Sequence, residues 1–98
     1  MSSGTEFLEA VVVEKSRISS EFCTLKLRVD DDAPPFAPGA HTSLQTPFGW
    51  RNYSLANLAD GNIWEVGVKA ERDGRGASSW IVDTLEEGET IQCQVPEN

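Results

Sequence analysis

Residues 22–29, Phe-Cys-Thr-Leu-Lys-Leu-Arg-Val, alternate without a break: Cys23, Leu25, Leu27 and Val29 fall on one side, Thr24, Lys26 and Arg28 on the other. A period of two belongs to a strand with one buried face. The β-branched run 7–14, Phe-Leu-Glu-Ala-Val-Val-Val-Glu, reads as a strand ending at Lys15-Ser16 and pairing with 22–29 as a hairpin. Strand character resumes over 40–46, and Pro47-Phe48-Gly49 turns the chain into a further strand over 50–56. Residues 63–69 alternate again, with Trp64, Val66 and Val68 inward and Glu65, Gly67 and Lys69 outward. The last strand, 90–95, turns Ile91, Cys93 and Val95 inward.

Between these runs lie loop signals. Asp30-Asp-Asp-Ala-Pro-Pro-Phe-Ala-Pro-Gly39 combines acids with prolines, Asp60-Gly61 marks a turn, and 70–76 is a charged loop ending Asp73-Gly74-Arg75-Gly76. From Ala77 to Glu87 the period changes. Trp80, Ile81, Thr84 and Leu85 share a helical face, with Gly88 as C-cap and Glu86 and Glu87 at the unfavourable end of the helix dipole. Six strands without interspersed helices point to an all-β fold, and closing an antiparallel sheet removes its edges. The expectation is a six-stranded antiparallel β-barrel with one short helix.

At 98 residues the chain holds one domain. A net charge of −8 argues against nucleic acid, which is bound through excess Lys and Arg. Yet Arg51, Lys69, Arg72 and Arg75 fall within 25 positions, a local basic cluster that suits a small anion. Cys23 and Cys93 sit at apolar phases and read as buried and reduced; with one His they make no metal site. The absence of a long apolar run and of a leader signature predicts a cytoplasmic protein.

Candidate chemistry gathers in two stretches. Arg51-Asn52-Tyr53-Ser54 carries a cation, a ring and a hydroxyl on one strand, with Arg51 and Tyr53 leaving by one face and Asn52 and Ser54 by the other. Asp73-Gly-Arg-Gly-Ala-Ser-Ser79 opens the predicted helix, and reads either as a phosphate cradle or as an ordinary glycine-rich turn. Gly67, inside a strand, marks either a ligand's close approach or a crowded neighbour. A dinucleotide fingerprint fails for want of the third glycine, and a P-loop for want of Gly-Lys-Ser/Thr. With His41 read as structural and no catalytic set of side chains, any chemistry falls to a bound cofactor.

Arg51-Asn-Tyr-Ser54 resembles the R-x-Y-S signature of the ferredoxin–NADP reductase superfamily. Pro38-Gly-Ala-His41, Val66-Gly-Val-Lys69 and Gly74-Arg-Gly-Ala-Ser78 stand around it in matching order, as in the phthalate dioxygenase reductase family. The resemblance covers residues 7–98. It implies a Greek-key barrel that binds flavin, FMN by preference and FAD as the alternative. It gives Arg51 the flavin phosphate, Tyr53 the ribityl–isoalloxazine portion, Ser54 the redox-active N5 edge, and Asn52 a backbone role. Gly67, Val68 and Lys69 would line the flavin, with clearance at Gly67, and Arg75, Gly76, Ala77 and Ser78 would hold the phosphate. Ala77 departs from the family, which often has a second glycine there. The resemblance further implies a monomeric flavin domain of a longer reductase, not fully active alone. Its NAD(P)H-binding and 2Fe–2S domains would lie elsewhere, and it would serve a terminal oxygenase. The competing readings are an FAD-type ferredoxin reductase domain and a non-enzymatic small-barrel binding module.

Overall fold

A computed structural model describes residues 7–29, 40–55 and 62–94. The strands are β1 (Phe7–Arg17), β2 (Phe22–Arg28), β3 (His41–Thr46), β4 (Gly49–Ser54), β5 (Ile63–Lys69) and β6 (Thr90–Gln94). The helix α1 (Ala77–Asp83) lies between β5 and β6. All the described pairings are antiparallel and run in the order β4-β3-β6-β1-β2-β5. Setting β6 between β1 and β3 gives the Greek-key crossover. A bridge between Leu55 and Val66 brings the two outer strands together and nearly closes the barrel.

Alternation builds the core as the sequence predicts. Cys23, Leu25, Leu27, Val29, Trp64, Val66, Val68, Ile91 and Cys93 are all buried inside the barrel. Both cysteines are free, and burial pushes the Cys93 thiol up to about 12. The readings at Val95, Asp60-Gly61 and the acidic, proline-rich 30–39 segment lie outside the described residues.

Two boundaries differ from expectation by three residues or more, and the differences share a cause. β1 continues past Glu14 to Arg17, with a register shift between Val12 and Glu14 that leaves Val13 as an extra, exposed residue. The helix stops at Asp83, four residues short of Glu87, and its C-cap is Thr84 rather than Gly88. Gly88 and Glu89, with the Glu87 carboxylate, bond to β1 at the bulge instead. Gly88 N–H donates to the Val12 carbonyl (2.7 Å), Val12 N–H to the Glu89 carbonyl (2.9 Å), and Lys15 N–H to Glu87 Oε2 (2.9 Å). The chain must reach the sheet by Thr90, which pairs with Val11, so a third helical turn has no room. Glu86 and Glu87 therefore lie outside the helix and do not oppose its dipole. Lys15 takes over the helix end, its Nζ donating to the carbonyls of Ile81 (3.0 Å) and Leu85 (2.5 Å).

Candidate functional site

Leu55 and Val66 mark the point where β4 and β5 part. Extending their register would set Tyr53 opposite Val68 and Arg51 opposite Ala70, but among the described residues no such pairing forms. The strands splay, and beyond Leu55 β4 pairs only with β3 among the described residues. A cleft of 610 Å³ opens in that seam, within the range of small-molecule sites. It is lined by Arg51, Asn52 and Tyr53 from β4, Lys69 at the end of β5, Glu71, Asp73, Gly74 and Arg75 from the loop, and Ala77 and Ser78 from α1.

The β3–β4 ladder sets the side-chain directions. Arg51 stands opposite Leu44 and Tyr53 opposite Thr42, both partners buried, while Asn52 and Ser54 stand opposite Ser43 and His41 on the other face. The Asn52 side chain is engaged, its Oδ1 accepting from Ser43 Oγ. Tyr53 packs its ring on the core, and its hydroxyl is buried without a hydrogen-bond partner among the described residues. Burial pushes the phenol up; Arg51 acts against this, while Cys23 and Glu71 add to it. A buried hydroxyl left open at a cleft wall is the kind of group a ligand satisfies.

Charge in the cleft is Arg51, Lys69 and Arg75 against Glu71 and Asp73. None of the three cations makes an ion pair among the described residues. Arg51 makes a long 3.5 Å contact to the carbonyl of its neighbour Trp50. An excess of uncommitted positive charge in a chain of net charge −8 suits an anion. The loop that carries Glu71, Asp73 and Arg75 is closed on itself. Glu71 N–H donates to Ser78 Oγ (2.8 Å), and Gly74 N–H donates to the Glu71 carbonyl (2.9 Å). Ser78 accepts in that bond, so its own proton remains available to a ligand.

Seven of the residues expected at the site thus meet in one cleft: Arg51, Asn52, Tyr53, Lys69, Arg75, Ala77 and Ser78. Four do not line it. Val68 turns its side chain into the core, as β5 alternation requires. Gly67 offers no clearance, because the ring of Phe22 fills the space beside it. Gly76 takes φ 101° at the helix N-cap and lies against the Phe48 ring. Ser54 is exposed one residue beyond Tyr53, next to the 56–61 segment outside the described residues.

The basic cluster is also smaller than the sequence suggested, since Arg72 faces away from the cleft onto Asp83 and Glu21. Sequence reasoning missed Glu71 and Asp73. No local period marks them, because β5 ends at Lys69 and residues 72–75 form a turn.

A nearly closed six-stranded antiparallel barrel with one short helix is shared with ferredoxin reductase-like flavin domains, as comparison with known proteins shows. The chain is 31% identical over 96 residues to phthalate dioxygenase reductase from Burkholderia cepacia, matching 94% of this chain and 30% of that protein. The solved phthalate dioxygenase reductase superposes with a TM-score of 0.79 at 30% identity, over 94% of this chain and 30% of that one. The ferredoxin reductase of carbazole 1,9a-dioxygenase gives a TM-score of 0.77 at 28% identity, over 92% and 29%. No family model matches the chain. Its homologues are phthalate dioxygenase reductase and related oxygenase reductases, and its structural neighbours are ferredoxin reductase-like flavin-binding domains. The chain spans about a third of the length of these relatives.

Proposed function

We propose that the chain is the flavin domain of an NAD(P)H-dependent oxidoreductase, holding FMN in the seam between β4 and β5. The observation that carries this reading is the cleft itself, where three cations and a buried phenol, none with a side-chain partner among the described residues, converge at the seam. Bound there, the flavin supplies the exchange between hydride and single-electron chemistry.

The chain's own residues bind and orient. Arg51 holds the phosphate through a charge-assisted bond, with Arg75, Ala77 and Ser78 around the same anion and the Gly76 backbone closing the turn. Tyr53 donates its hydroxyl and offers its ring as a wall. Asn52 contributes through its backbone, since its side chain is committed to Ser43. Lys69 faces the ligand from β5, while Gly67 and Val68 offer backbone alone. Three strand steps of about 3.3 Å put Ser54 about 10 Å along β4 from Arg51, which suits the ring end of a ligand anchored by its phosphate. Ser54 is there assigned to the N5 edge.

A phosphate at the end of the ligand favours FMN over FAD, because a mononucleotide leaves its anion terminal. The solved phthalate dioxygenase reductase is described as carrying electrons from pyridine nucleotides to a 2Fe–2S centre. By that likeness, FMN held here would link oxidation of NAD(P)H to reduction of an iron–sulfur centre serving an oxygenase, with nicotinamide and cluster bound outside this domain. Titration of the purified chain with FMN and FAD, followed by flavin fluorescence, tests the reading. One-to-one binding of FMN in preference to FAD is expected, weakened at least tenfold in Arg51→Ala (loss of a charged hydrogen bond). No binding of either flavin overturns it.

A further inference from the structure

The segment 70–78 contributes to one wall of the cleft, yet it is fastened to residues that do not line it, in the turn between β1 and β2. Ala70 N–H donates to the Glu21 carbonyl at 2.7 Å. Arg72 donates from Nη2 to the Ser20 carbonyl (2.8 Å) and from Nε to Glu21 Oε1 (3.1 Å). The same guanidinium reaches Asp83 at the end of α1, from Nη1 at 2.7 Å and from Nη2 at 3.4 Å. Asp83 also accepts from Arg17 Nη2 at 3.1 Å. One planar fork thus joins the hairpin, the loop and the helix, while Glu71 and Asp73 on either side of it face the cleft.

A carboxylate in the last turn of a helix works against the dipole, and α1 has no basic residue there to offset it. Asp83 is held by the two arginines, and its carboxyl stays below the usual range chiefly through its bonds to Arg72. No exposed pair of this kind adds much to global stability. A bidentate fork, however, fixes direction as well as distance, and a lysine cannot reproduce it.

We propose that Arg72 is a positioning residue for ligand binding: it sets the loop that presents Arg75 and Ser78 to the ligand's phosphate without touching that ligand. The proposal rests on the reading of the cleft as a flavin phosphate site.

The test compares FMN with riboflavin, which lacks the phosphate, on the full chain and on Arg72→Met, Arg72→Lys and Asp83→Asn. The native chain binds FMN more tightly than riboflavin. Arg72→Met lowers that preference by about fivefold, the size of a lost exposed charged network. It does so by weakening FMN and leaving riboflavin unchanged. Arg72→Lys recovers part of the preference, and Asp83→Asn lowers it in the same sense. General loosening of the fold would weaken both ligands alike and leave the ratio unmoved, which overturns the proposal, as does an unchanged ratio with both affinities intact. If Arg72→Met does not fold, the ratio in Asp83→Asn decides in the same way. A native chain that does not distinguish the two flavins instead contradicts the phosphate-site reading beneath it.

Discussion

The ring of Phe22 on β2 closes over the α-carbon of Gly67 on β5, its Cζ 3.0 Å from where a β-carbon would stand. Thr24 is the direct partner of Gly67, so Phe22 reaches it diagonally across the ladder. Aromatic cover of a strand glycine restores packing that the missing side chain forfeits. Gly67→Ala should therefore cost about 0.5–1.5 kcal/mol, because the ring must shift by a few tenths of an ångström. In a Phe22→Leu background most of that cost should vanish, and denaturant titration of the four proteins checks it through the coupling. Additive effects would show that the ring is not what excludes the methyl group.

Lys15 joins β1 to the end of the helix by donating to two carbonyls that have no helical partner. Lys15→Met keeps the stem and removes the donors. A loss of about 1–2 kcal/mol is expected, seen as a Tm lower by about 4–8 °C for each kcal/mol in a domain of this size. An unchanged melting temperature would remove the cap from the account.

Burial raises the Cys93 thiol to about 12 from an ordinary value near 9.0, so the folded state holds a proton that the unfolded chain gives up earlier. The folded protein is favoured fully below pH 9.0, and its advantage declines as pH rises from there to about 12. Cys93→Ala should lower stability at neutral pH by leaving a small cavity between Leu8 and Leu44, its neighbours on β1 and β3. The same variant should flatten the decline between pH 9 and 11, read from urea midpoints across that window. An unaltered slope would assign the alkaline sensitivity elsewhere.

The Tyr53 hydroxyl has no hydrogen-bond partner among the described residues. Removing an unsatisfied buried group should leave stability unchanged or raise it by about 1 kcal/mol. Tyr53→Phe should at the same time weaken FMN by about fivefold, since a neutral hydrogen bond contributes about 1 kcal/mol. Calorimetry of folding and of FMN binding on the same variant separates the two effects. A variant that loses stability and keeps its affinity would mean the hydroxyl serves the fold.

The strands were legible because burial imposes a period of two, and the register of β2 against β5 places Leu25, Leu27, Val66 and Val68 where alternation put them. The end of the helix was not. Leu85 continues the apolar face and is buried, but Thr84 and Leu85 both donate to the Trp80 carbonyl, and the chain then turns onto the β1 bulge. Nothing local in Glu86-Glu87-Gly88 announces a tertiary partner seventy residues away. The site was legible as far as chemistry at strand positions allowed: Arg51, Tyr53 and Lys69 converge as expected. Arg72 was misplaced because the cluster of basic residues carries no sign of direction, and a turn rather than a strand decides which way each one points. Gly67 shows the same limit, since a glycine tells of a close neighbour without saying whether it is a ligand or, as here, Phe22.

The central claim is that the seam between β4 and β5 is the flavin site. Backbone amide spectra of the full chain recorded during FMN addition test it most directly. The account predicts shifts concentrated at Arg51–Tyr53, at Lys69 and across residues 71–78, with β1 and the outer face around Gln45, Thr90 and Gln92 unmoved. Shifts centred on that outer face, or none at saturating FMN, would contradict it.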